Sequence, residues 1–354
     1  MTLPAPSSEQ HTWAVRIAQY DINRLLGITG PLTTTTTDTS RVRILHHFHT
    51  VTCSTLGGDI VNRTVRSVVE TTAGAKPYLM HVVLAMGLAH LRLLAPLSGP
   101  RATQRRLVGA ETFHWHAALQ AYRSRLAADG AFKDDFDSMV ATTFLTILYT
   151  FALDDDIAVD ALGTNATAAW THALEPLAAA SGFRALNCVN TMNMPGSVWT
   201  PVVSETDNED HTFTSKAPGI DSLPAAFIDL CDLSPESTEA NNPYHSIVRH
   251  LTPLLALKPG LANMTTLFAF VGRTWRVLRP LLLQRDCRAL LLVSWWLALL
   301  HQVDQWWVAT RARSECAALV AFLSASSNPK IQALLVYPAS FGVADYAWIW
   351  QPQR

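Results

Sequence analysis

The residues with the clearest chemical potential lie in LDDDIAVDAL, where Asp154, Asp155 and Asp156 follow a long apolar stretch and Asp160 comes four positions after Asp156. Acids so close repel one another unless a cation neutralises them, and Mg²⁺ favours a few carboxylates completed by water and substrate phosphate oxygens. Asp155, Asp156 and Asp160 are the candidate metal ligands. The run resembles the aspartate-rich motif of class I terpene cyclases, but with different spacing. ESTEANN (Glu236 to Asn242), the nearest counterpart of the partner motif, is also spaced differently. The same acids read equally well as a solvated turn between helices, with Asp156 as a cap.

A diphosphate would need cationic receivers, and Arg273, Arg276, Arg279, Arg285 and Arg288 crowd around Pro280. Arg276 and Arg279 are three apart, so on a helix they could clamp one anion together; a solvated basic face is the alternative. Eleven tryptophans are many, and Trp275, Trp295 and Trp296 with Phe270 could line an apolar pocket and stabilise a carbocation through their ring faces, or could be plain core. The thirteen histidines include His46, His47, His49, His81, His90, His114 and His116. His46 and His49 can share a helix face, whereas His114 and His116 cannot, and without an H-E-x-x-H motif they read as core or capping groups. No G-x-S-x-G, phosphate-binding loop or dinucleotide fingerprint occurs, so hydrolase, NTPase and dehydrogenase chemistry is unsupported.

These groups must be positioned mainly by helices. Apolar residues recur at three- and four-residue spacing in RILHHFHTVTCSTL, in Asp59 to Ala73 and from Pro77 onward. Arg101 to Ala128 reads as a long amphipathic helix, and Asp134 to Leu153 as an acid-started helix apolar all round. Further helices are expected over Ile157 to Ala180, Leu223 to Leu233, Pro243 to Leu257, Asn263 to Gln284, Asp286 to Thr310, Ala312 to Ser324 and Pro329 to Leu335. Thr29 to Ser40 reads as a threonine-rich tether after a short helix near Trp13, Ser197 to Ser204 as a short extended piece, and Glu205 to Gly219 as a surface loop. The expected fold is all-α, a single-domain helical bundle with an internal apolar pocket, in which residues 1–40 are the leading helix and tether and residues 41–354 the helical domain.

Composition sets bounds on function. Of 354 residues 49% are hydrophobic and 16% charged, which excludes a disordered regulator, and the formal charge of -1 supplies no field for nucleic acid. Direct DNA binding is therefore not expected. The longest apolar run, Ala289 to Leu300, is short of the about 20 residues a membrane span needs, so it reads as a buried helix and no transmembrane segment is expected. Five dispersed cysteines with no C-x-x-C suggest neither a zinc site nor a disulfide framework, and they fit a reducing compartment. The N-terminus lacks the basic start and apolar block of a secretory signal.

From Arg41 on, about 310 residues resemble the C-terminal region of fungal sterol-uptake-control-type transcription factors. The resemblance is carried in order by ILHHFHTVTCSTL, PYLMHVVLAMGLAHL, AETFHWHAALQAYRSRL, FDSMVATTFLTILYTFALDDD, STEANNPYHSIVRHLTPLL, RALLLVSWWLALLHQVDQWW, RARSECAALVAFL and PKIQALL. In that family the region is a helical domain that binds a hydrophobic small molecule and regulates an N-terminal zinc-cluster DNA-binding domain. The C-x2-C-x6-C pattern of that cluster does not occur in the first 40 residues here. Two functions follow as expectations. The first is a Mg²⁺-dependent sesquiterpene cyclase of fungal secondary metabolism, the fold having been recruited to catalysis on an isoprenoid diphosphate such as farnesyl diphosphate. The second is a non-catalytic sterol- or lipid-sensing regulatory domain. The expected partner is accordingly an isoprenoid diphosphate or an apolar ligand, with a homodimer as an accessible assembly. The expected compartment is the cytoplasm, or the nucleus for a regulator.

Overall fold

The computed structural model describes residues 34–94, 101–128, 131–153, 174, 176–181, 196–202, 204 and 219–351. The described chain is 76% helical and contains no strand, so the all-α class holds. The chain forms two compact units, one from Met1–Tyr149 with Met194–Val202, the other from Thr150–Asn193 with Val203–Arg354.

In the first unit, helix α1 (Thr34–Thr50) leads through a 3₁₀ turn at Thr52–Thr55 into α2 (Asp59–Thr72), α3 (Pro77–Leu94), α4 (Arg101–Leu126) and α5 (Ala131–Ala152), which gives its residues through Tyr149 to this unit. Helix α1 begins inside the expected tether: Thr34 to Ser40 are helical, continuous with the turns anchored by buried Ile44, Leu45 and Phe48. Threonine is only a mediocre helix former, and the anchored turns outweigh that weak preference. Helix α3 is buried at every position from Tyr78 to His90. It is long and apolar enough to cross a membrane by length and composition, but 72% of it is buried inside the protein, as core helices of globular proteins are. Its Gly87 lets α1 approach: a Cβ there would stand 2.9 Å from Ile44 Cγ2 and 3.2 Å from the Ile44 carbonyl oxygen.

Two buried carboxylates tie the unit together. Glu111 accepts from Arg92 Nε at 2.7 Å and Nη2 at 3.2 Å and from the Tyr149 hydroxyl at 3.0 Å, joining α3, α4 and α5. Asp135 breaks the helical path of α5 (φ -126°, ψ 16°) and accepts from Lys76 Nζ and, at 2.6 Å, from Arg125 Nε. Burial alone would raise its pKa, but the two cations more than offset this and hold it below the usual carboxylate value.

The expected extended piece at Ser197 is instead a turn running into helical residues 200–202. Ser197 Oγ accepts from the Trp199 backbone N–H at 3.1 Å and donates to Asp137 Oδ1 at 2.5 Å, and fully buried Trp199 donates from Nε1 to the Asp137 carbonyl at 3.0 Å. Hydroxyl capping and burial of the indole override the β preference of the neighbouring valines.

In the second unit, α6 (Ala225–Leu230), α7 (Pro243–Leu251), α8 (Met264–Leu283), α9 (Cys287–His301), α10 (Ala309–Ser324), α11 (Pro329–Leu334) and α12 (Val336–Ala339) follow in order. Three starts are side-chain caps: Asn242 Oδ1 accepts from Tyr244 N–H, Asp286 Oδ1 from Ala289 N–H and Asn328 Oδ1 from Lys330 N–H. Asp286 to Thr310, read as one helix, is two. Helix α9 ends at His301, and Asp304 turns the chain with φ 53° before α10 begins. Ala289 to Leu300 is buried throughout, as expected of its apolar run.

Of the described thiols, Cys53, Cys231 and Cys316 are buried and Cys287 is half-buried. Burial pushes Cys53 up to about 11 and Cys316 up to about 12, and drives Cys231 upward as well.

Candidate functional site

Helix α8 has one inward and one outward face. Met264, Leu267, Phe270, Val271, Thr274, Leu278 and Leu282 are buried at three- and four-residue intervals, while Arg276, Arg279 and Pro280 are exposed. On a helix, Arg279 stands about 180° from Phe270 and Arg276 about 120° from it. Arg276 is 90% exposed and faces Glu239 at 3.6 Å, a surface pair that contributes little. Trp275, beside it, is half-buried.

The other two candidate tryptophans lie wholly inside, on α9. Trp295 stacks on Tyr337 with centroids 4.4 Å apart, meets Phe227 and Tyr346 edge-on, and donates from Nε1 to the Leu334 carbonyl at 3.0 Å. Trp296 donates to the Leu267 carbonyl at 2.7 Å and touches Phe268 and Phe270 at 5.9 and 5.8 Å. With both indole N–H groups satisfied and no exposed surface, these rings fix α9 against its neighbours. Phe270 and Trp296 are thus brought together, and Arg276 and Arg279 are turned away from them.

A partly accessible aromatic group lies next to Trp296. Phe268 is half-buried and makes an edge contact with Phe151 at 5.1 Å and a tilted contact with Trp307 at 5.9 Å. One turn beyond Trp307, buried Arg311 donates from Nη1 to the carbonyls of Thr150 at 2.8 Å and Leu153 at 3.1 Å, and from Nε to Glu315 Oε1 at 2.6 Å. It thereby closes the C-terminal end of α5, where the helix dipole favours a cation. Burial raises the Glu315 carboxyl above its ordinary pKa, against the pull of Arg311. Phe151, Phe268, Trp296 and Trp307 thus form one aromatic cluster beside the Arg311–Glu315 ion pair. Arg311 and Glu315 were readable only as a four-residue spacing, and Phe268 carried no signal that distinguished it from core.

Asp155, Asp156 and Asp160 lie outside the described residues. Among the described residues no three His, Cys, Asp or Glu side chains group as a metal site. Compared with protein-family models, curated proteins and solved structures, the chain matches none.

Proposed function

We propose that the chain is a non-catalytic regulatory domain that senses a sterol-like or other apolar lipid, the second of the two expected functions. The observation that carries this reading is the division of α8, with Phe270 buried against Trp296 and Arg276 and Arg279 exposed on the outward side. Class I cyclisation needs the diphosphate receiver and the hydrocarbon cradle in one cavity, because the leaving group's charge is stabilised while the cation forms on the same molecule. Two cations on the opposite face of the helix do not serve that step, whereas an enclosed aromatic interior with a partly open ring suits passive uptake of an apolar ligand. The ligand would sit in an internal apolar pocket of the helical body reached past Phe268, and the output would pass to a protein partner, in the nucleus or cytoplasm.

The decisive experiment titrates the purified protein with a fluorescent sterol and, separately, incubates it with farnesyl diphosphate with and without Mg²⁺. Saturable sterol binding that is lost in Phe268→Asp, with no volatile product, is expected. Mg²⁺-dependent release of a cyclic hydrocarbon would overturn the reading in favour of a cyclase that draws its metal ligands from Asp155, Asp156 and Asp160.

A further inference from the structure

Helix α3 is fastened by histidines to helices on two sides. Toward α4, His81 Nδ1 and His114 Nδ1 stand 2.8 Å apart with both side chains buried, so one ring donates and the other must lack a proton on that nitrogen. Phe113 lies edge-on against both rings, and Arg41 of α1 adds positive potential at His114. Toward α1, the rings of His90 and His47 lie 5.1 Å apart, and Thr52 Oγ1 is 3.0 Å from His90 Nδ1. Burial, and then the neighbouring His46 of the same helix, lowers the pKa of His47. A further buried histidine, His49, sits 3.4 Å from Glu70 of α2 and is faced by Arg66 and His46. Arg92 of α3 and Glu111 of α4 also join these two helices as an ion pair.

We propose that these buried histidines form an acid-released clasp, which holds α3 between α1 and α4 near neutral pH and lets the first unit open in mildly acidic surroundings. A second proton on the His81–His114 pair abolishes its hydrogen bond and sets two like charges side by side, and a proton on His90 adds charge beside the His47 ring.

The direction of the pH response follows from linkage. Burial, with help from neighbouring positive groups, holds His49 and His90 down to about 4 and His114 down to about 3. In the unfolded chain each takes a proton near 6.5, so the stability they confer is complete above 6.5 and falls as pH drops toward the folded values. Each such group shifts the folding equilibrium about fivefold between pH 6.5 and 5.5, so three together shift it about 150-fold. That window lies above the ordinary carboxylate range, which separates the effect from protonation of Asp135. In the second unit burial also lowers the pKa of His245.

Digestion of the full chain with papain at pH 7.5 and 5.5, with fragments mapped by mass spectrometry and rates normalised to a peptide substrate, tests the clasp. Cleavage between residues 34 and 149 should rise at least tenfold at pH 5.5 while cleavage between 225 and 350 changes little, and His90→Gln/His114→Gln should blunt the rise. Equal acceleration in both regions, or an unchanged rise in the double variant, overturns the proposal. Should the double variant already be open at pH 7.5, histidine Cε1–H NMR of the wild-type protein at pH 6.0 decides. At least three unprotonated rings are expected, and titration of all thirteen near 6.5 would sink the idea.

Discussion

At Arg311 a single side chain serves three acceptors, Glu315 and the carbonyls of Thr150 and Leu153, from a nearly dry position. Arg311→Met should therefore cost about 3–5 kcal/mol, because it leaves a buried carboxylate without its cation. A lowered urea midpoint would record the loss. Arg311→Met/Glu315→Leu should recover most of it, since removing both charges removes the desolvation penalty with the attraction. Asp135 behaves differently, because its lowered pKa confers stability that is present above about 3.9 and disappears as pH falls through the folded value. In Asp135→Asn the urea midpoint should already be low at pH 5 and should decline less than wild type between pH 5 and 3. The sequence displayed Arg311 and Glu315 at helical spacing, but the carbonyls that complete the site belong to a helix some 160 positions earlier. No local pattern encodes that meeting.

Elements were legible where their ends are written in short-range chemistry. Asn242 before Pro243, Asp286 before Cys287 and Asn328 before Pro329 mark starts that the structure reproduces, because cap and first turn are set within three residues. The break at Asp304 lies in the polar stretch His301-Gln302-Val303-Asp304-Gln305, but without glycine or proline there the apolar residues resuming at Trp306 and Trp307 read as the same helix, and the left-handed backbone of Asp304 has no sequence mark. The helical course of Thr34 to Ser40 was hidden by threonines of modest helix preference. Helix contact at Gly87 offers a direct test. Alanine there gains about 1 kcal/mol of helix propensity, yet its methyl meets both Ile44 Cγ2 and the Ile44 carbonyl oxygen. Gly87→Ala should therefore be net destabilising, by about 1–2 kcal/mol, and Gly87→Leu more so, as read from thermal or urea unfolding. A stabilised Gly87→Ala would show that α1 yields freely.

For the whole molecule, helical periodicity without alternating strands identified the all-α class, since that pattern is a property of every element at once. Division into two units was not legible, because its first boundary falls within α5, between Tyr149 and Thr150, where glycine or proline cannot announce a linker. A near-neutral chain with net charge -1 also carries a prediction about partners. Labelled duplex DNA should show no salt-sensitive, sequence-dependent mobility shift at submicromolar protein. Such a shift would mean that basic residues are concentrated on one face strongly enough to outweigh the balanced total.

The buried sulfurs give the molecule a set of internal timers. Cys53 lies in the first unit and Cys231 and Cys316 in the second, each shielded and held in the thiol form, so an alkylating reagent can modify them only during an excursion that exposes them. Among the described cysteines, Cys287 should be carboxamidomethylated first by iodoacetamide, and the other three orders of magnitude later. The lag at Cys53 clocks the breathing of one unit and the lags at Cys231 and Cys316 that of the other, without a probe having to be engineered into either.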